Sequence, residues 1–198
     1  MAVTNPQELL KHELGDLLYA EKQILKALGP MIRETTDAEM KARLEQHQGE
    51  TEQQVSNLEQ AFGAMGWKVK AEKCPGILGI LEEKKEFKSE EEPSRPVLEA
   101  FNLGAGLRVE HYEIAAYRSA VALARLLGKA DVVALLRANL EQELAMAKFI
   151  EGASARVLRS VQDAVATAEA EGTSKGTSKG TSKGTSRRAS KRPARTAA

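Results

Sequence analysis

Residues 109–117 read VEHYEIAAY, setting Glu110, His111 and Glu113 among the alanines, isoleucine and tyrosines of a helix otherwise composed for burial. An ionised carboxylate in a dry core costs several kcal/mol unless it is compensated, so two of them in one apolar helix call for a reason. The rest of the chain narrows what that reason is.

Apolar residues recur at spacings of three and four in four long segments, roughly 6–28, 37–65, 94–127 and 130–166, with no comparable alternating stretch that would read as strand. Asn5 and Pro6 suit the start of the first helix, Gly29 and Pro30 its close, and Asp37 the cap of the second. "GAMGW" closes the second, Pro93 and Pro96 flank the start of the third, and "LLGKAD" turns into the fourth. The connection containing "CPGILGILEEKKEF" is expected to carry one short extra helix. The fold class is therefore all-α, an antiparallel four-helix bundle of the ferritin-like type, two hairpins joined by a long crossover. Phe62, Trp67 and Phe101 read as core or turn anchors, and Cys74 as a small buried or loop residue unable to form an intrachain disulfide.

Each helix breaks its apolar stripe with a polar residue. The first runs Leu10, Leu14, Leu17, Glu21, Ile24, Leu28, and the fourth Leu136, Leu140, Glu143, Ala147, Ile150. The second runs Met40, Leu44, His47, Thr51, Leu58, Phe62, with Glu50 one turn from His47, and the third places Glu110 and Glu113 in adjacent stripes. From the expected helix ends, Glu21 and Glu50 stand about 10 and about 18 Å from their turn, and Glu113 and Glu143 about 21 and about 18 Å from theirs. All of these acids can then meet at one mid-bundle layer, where multivalent cations would remove the repulsion. Glutamate and histidine without thiolate suit iron or manganese, and bridging acids suit two ions.

The stretches "LLYAEKQILKALGPM", "HQGETEQQVSNLEQAF", "KCPGIL", "VEHYEIAAY" and "LEQELA" resemble, in order and spacing, those of the bacterial YciE/YciF-type ferritin-like proteins, which are stress-associated. The resemblance covers residues 6–160 and implies a carboxylate-bridged dinuclear site built from Glu21, His47, Glu50, Glu110, Glu113 and Glu143. "EHYE" is also similar to the ExxE pair on the third helix of rubrerythrins. On this reading Glu50 and Glu113 bridge two iron or manganese ions, Glu21 and Glu143 are terminal ligands, His47 gives nitrogen, and Glu110 shifts with oxidation state. Tyr19, Tyr112 or Tyr117 would relay a proton or electron, and peroxide or oxygen would be the reactant. Two departures stand out: the second helix has His-x-x-Glu in place of Glu-x-x-His, and Glu143 is followed by Met146 and Ala147. They leave a one-metal or vestigial site as alternatives.

The net charge of +1, from 29 basic and 28 acidic residues, conceals a division at residue 171. Residues 1–171 form the expected bundle domain, carrying 21 basic against 28 acidic residues, a net of −7. Residues 172–198 repeat GTSK and hold Lys175, Lys179, Lys183, Arg187, Arg188, Lys191, Arg192 and Arg195 with no acid and no large apolar side chain. Such a segment is expected to be disordered and able to touch nucleic-acid phosphates without reading bases, or simply to solubilise. A second functional reading is accordingly a DNA-associated protective or structural stress protein. No apolar run approaches a membrane span, and a soluble, cytoplasmic homodimer is expected. The tail generates a test: a chain truncated after Glu171 should lose weak duplex binding that fades with salt at a log-log slope of roughly −0.9 per phosphate contact. Retained binding by the truncated chain would make the tail a solubilising appendage.

Overall fold

The computed structural model describes residues 3–177. They form five helices: α1 (Pro6–Glu34), α2 (Ala38–Ala64), α3 (Pro75–Glu90), α4 (Arg95–Leu126) and α5 (Ala130–Thr177). Among the described residues there is no strand. α1, α2, α5 and α4 form a closed ring in that order, each packed on its two neighbours, while α3 lies outside against α1 and α4. The α1–α2 turn and the start of α4 share one end of the bundle, since Glu99 accepts from the Thr36 and Asp37 amides at 2.8 and 2.9 Å and from the Thr36 hydroxyl. The crossover therefore spans the full bundle length, and every ring neighbour is antiparallel, as the ferritin-like topology requires.

The expected caps are in place. Asn5 accepts from the Glu8 amide at 2.9 Å and Asp37 from the Met40 amide at 2.8 Å. Two residues past the ends of α2 and α4 stand Gly66 (φ +69°) and Gly128 (φ +65°), where the left-handed backbone favours a residue without Cβ. The Trp67 amide then reaches the Phe62 carbonyl at 2.9 Å and the Lys129 amide the Ala124 carbonyl at 3.0 Å. The first helix departs from expectation, because it does not stop at Gly29 and Pro30 but continues to Glu34 with Pro30 inside it. Proline removes one hydrogen bond, to the carbonyl of the exposed Lys26, and the buried Ile32 in the following turn holds the helix on course. At the far end α5 carries on through Thr177, six residues into the segment expected to be unstructured, since propagation adds a bond for every residue fixed. Of the tail's basic residues, Lys179, Lys183, Arg187, Arg188, Lys191, Arg192 and Arg195 lie outside the described residues.

α3 is tied down at both ends. Cys74 is buried and caps it, its Sγ accepting from the Ile77 amide at 3.5 Å and sitting 2.8 Å from the Tyr112 hydroxyl, which donates to Asp16 at 3.0 Å. Lys84 and Lys88 both reach Glu34 at 2.8 Å. Burial would raise the Glu34 carboxyl, but these two ammonium groups outweigh it and hold the pKa at about 2. Phe87 stacks on Phe101 with centroids 4.0 Å apart, and Trp67 packs edge-on to the buried Phe62.

The core is divided in two. One apolar cluster is built around Ile24, Leu28, Met40, Leu44, Leu103, Met146, Ile150 and Val157. The other gathers Leu10, Leu14, Leu17, Leu58, Phe62, Val121 and Leu136. Asp37 secures the first end, capping α2 while pairing with Arg156 of α5. Asp37→Ala should therefore cost about 1–2 kcal/mol, lowering Tm by about 2–8 °C, as calorimetry would register.

Candidate metal centre

Between the two apolar clusters lies a polar waist. The helix ends explain its level: Glu21 is 13 residues from the end of α1 and Glu50 is 12 from the start of α2, while Glu113 and Glu143 are each 13 from their shared turn. All four Cα positions thus stand about 18–20 Å from a turn. The extension of α1 beyond Pro30 is what brings Glu21 to this height.

Five of the six expected ligands converge there. Glu21, His47, Glu110, Glu113 and Glu143 are all at most 3% exposed. His47 Nε2 faces Glu110 Oε1 at 3.6 Å and Glu143 Oε2 at 3.9 Å, and one ligand atom from each of these three residues lies within 4.8 Å of the other two. Glu21 and Glu113 lie close enough for their charges to couple with each other and with Glu143. Five carboxylate oxygens of this group are buried without a hydrogen-bond partner among the described residues: Glu21 Oε2, Glu110 Oε2, both oxygens of Glu113 and Glu143 Oε2.

Glu50 is placed differently. It is partly exposed at the rim, accepting from Arg43 at 2.9 Å and Gln46 at 2.7 Å, with His47 Nδ1 at 3.3 Å. Burial would raise its carboxyl, but hydrogen bonds from Gln46, Arg43 and His47 hold it below the usual carboxylate range. An ionised Glu50 accepting from Nδ1 leaves the Nε2 lone pair of His47 pointing inward, the arrangement a metal-ligating imidazole needs. His111, flanked by two waist acids in sequence, faces outward and pairs with Glu151 at 3.7 Å across α4 and α5.

A layer of amides that the stripes did not single out supports the acids from below. Gln54 Nε2 donates to Glu143 Oε1, and Tyr117 Oη donates to Glu21 Oε1. Asn139 Nδ2 donates to Tyr117 Oη at 2.9 Å and to the Gln54 carbonyl at 3.2 Å, while its Oδ1 accepts from Asn57 at 2.7 Å. The signal was available: Gln54 is seven residues after His47 and Asn139 four before Glu143, both on the stripes already traced. Of the three tyrosines considered as relays, Tyr117 touches a waist carboxylate, Tyr112 is held at the α3 cap, and Tyr19 packs with the first apolar cluster.

Residues 5–163 match the family described as "Domain of unknown function (DUF892)". The chain belongs to this family. It is 33% identical to Protein YciF of Escherichia coli (strain K12) over 140 residues, which is 70% of this chain and 84% of that protein. Among solved structures, YcfI from Rhodopseudomonas palustris, for which a structural role has been suggested, superposes with a TM-score of 0.72 at 37% identity, covering 75% of this chain and 94% of its own. The E. coli stress protein YciF superposes with a TM-score of 0.71 at 28% identity, covering 79% of this chain and 99% of its own. The described residues of this DUF892 chain are thus all-helical, with a buried His47, Glu110 and Glu143 group able to hold a metal ion. No helix among its described residues is long and apolar enough to cross a membrane.

The waist sets a pH dependence. Burial, followed by the neighbouring Glu143 charge, pushes Glu21 and Glu110 well above the usual carboxylate range; burial and the charges of Glu21, Glu143 and Glu110 do the same to Glu113. A group whose folded pKa is raised binds its proton in the native chain after the unfolded chain has released it. Its contribution is fully present below the unfolded pKa near 4.5 and is lost as pH rises towards the folded value, by as much as about 1.4 kcal/mol per pH unit for each titrating group. Metal-free protein should therefore lose denaturant stability as pH rises above the ordinary carboxylate range. Glu113→Gln, which cannot ionise, should flatten that decline.

Proposed function

We propose that this DUF892 protein is a metal-binding protein whose waist holds two iron or manganese ions that react with peroxide or oxygen. The observation that carries the reading is the set of five unpartnered carboxylate oxygens on Glu21, Glu110, Glu113 and Glu143 beside the inward Nε2 of His47. Four carboxylates balance the charge of two divalent cations, and the donor set is all oxygen and imidazole, as iron and manganese prefer. His47, Glu110 and Glu143 would hold one ion, and Glu21 and Glu113 would hold the second. Bound iron or manganese would bring a redox-variable Lewis acid, which no side chain of the waist offers.

The chain's own residues do the rest. Glu50 orients His47, Gln54 fixes one oxygen of Glu143, and Tyr117 keeps a proton at Glu21 Oε1 where it can be delivered or withdrawn. The apolar clusters on either side keep bulk water away, which strengthens every charge interaction in the layer. A purely structural role, as suggested for YcfI, suits the amide layer but leaves the five oxygens without partners.

Elemental analysis after purification from medium containing iron and manganese tests the reading. About two ions per chain are expected, falling below one in Glu113→Ala and Glu143→Ala, because each removes a donor from the layer. Chelation should lower Tm by about 8–16 °C if the metal stands at about a thousandfold its Kd, where binding contributes about 4 kcal/mol. Less than one ion per chain, with Tm indifferent to chelator, would favour the structural role.

A further inference from the structure

Above the waist, within the first apolar cluster, lies a cavity of about 50 Å³. It follows α4 from Asn102 past Gly106 to Glu110, about two helical turns or about 12 Å. Thr35, Glu99 and Asn102 mark its outer end, Leu81 of α3 and Met31 of α1 its flank, and Glu110 its inner end. Between those ends the wall is Ile24, Leu44, Val109, Met146 and Ile150.

Between its ends the wall carries no hydrogen-bonding side chain, so water in that stretch would lack the two to four polar partners that retain it; Asn102 Oδ1 and Glu110 Oε2 offer acceptors only at the two ends. The volume is roughly a third of the ~150 Å³ engineered cavity that stays dry and takes benzene or xenon, too small for an aromatic ring. We propose that this cavity is a binding site for an uncharged, diatomic-sized gas, of which dioxygen is the fitting reactant, and that it delivers that guest to Glu110 while excluding hydrogen peroxide. The delivery role rests on the metal reading above; the binding site does not. Peroxide carries two O–H donors and four lone pairs, and would shed its hydrogen bonds to water along the apolar stretch without replacing them. Dioxygen has none to lose. α3 seats Leu81 at the flank, so the strap that carries the crossover also borders the cavity.

Xenon supplies a probe that needs neither metal nor turnover. In the full chain, with and without metal, pressurised xenon should occupy a single site here and shift the Met146 methyl resonance. Gly106→Leu fills the space from a position where an added Cβ would lie 3.4 Å from Ile150 Cδ1, an ordinary contact that lets the backbone stay in place. Leu44→Phe fills it from α2, so one variant can fail to fold without removing the test. Each folded variant should lose xenon occupancy about tenfold or more. Loaded with ferrous iron, each should consume oxygen about tenfold more slowly while peroxide consumption stays within about twofold. Absence of xenon from the wild-type cavity would overturn the site. Unchanged oxygen consumption in the filled variants, or equal slowing of oxygen and peroxide, would overturn its selectivity. Wild-type metal content below one ion per chain would instead sink the metal reading, with the xenon result still deciding the cavity.

Discussion

Taking a carboxylate out of water is tolerable only when something answers its charge, and this bundle takes four to the same depth. That constraint orders the remaining structure. The two apolar clusters are separated because the acids occupy the layer between them, and the clusters supply the packing that keeps the layer closed. Gln54, Asn57, Asn139 and Tyr117 line one side of the waist because the acids need fixed donors there. The opposite side keeps His47, with Glu50 outside it as an anchor.

Peripheral ties hold the waist in register. Glu99 stitches the first turn of α4 to the α1–α2 connection, and Arg156 of α5 bridges to Asp37 and Glu39 on α2. Because all four ring helices meet at that end, none can slide along its axis without breaking a charged hydrogen bond. α3 adds a second tie through Glu34, Lys84 and Lys88 at one end and Asp16, Tyr112 and Cys74 at the other. The connection ahead of it approaches closely enough that a Cβ on Gly15 would sit 2.6 Å from Glu72 Cγ.

Most of the architecture was legible because helical periodicity reports directly on which Cα positions face inward. Glu21, Glu110, Glu113 and Glu143 were found by their places within apolar stripes, and the caps at Asn5 and Asp37 by residue type. Four features escaped that logic. Pro30 reads locally as a stop, yet its lost hydrogen bond falls on the carbonyl of an exposed residue, Lys26, while the buried Ile32 holds the turn. Glu50 lies at the edge of its stripe, where periodicity cannot tell a side chain turned inward from one drawn outward by Arg43, a partner seven residues away. Gln54 and Asn139 looked like gaps in a stripe, since an amide gains its meaning from a partner on another helix, and such pairings leave no mark in local spacing. The apolar cavity was likewise invisible, because a void is a property of how side chains from five helices fail to meet.

The divided core also bears on how the chain assembles. The α1–α2 and α4–α5 hairpins each close through short connections, so each can form early from contacts near in sequence. Bringing them together is another matter, since it strips water from acids on both at once, while α3 must find its place along the outside. Docking of preformed hairpins, rather than helix formation, then becomes the slow step, and its reversal the route by which the bundle opens. A cation spanning Glu21 or His47 on one hairpin and Glu110, Glu113 or Glu143 on the other would act after that barrier, lengthening the lifetime of the closed bundle without hastening its formation.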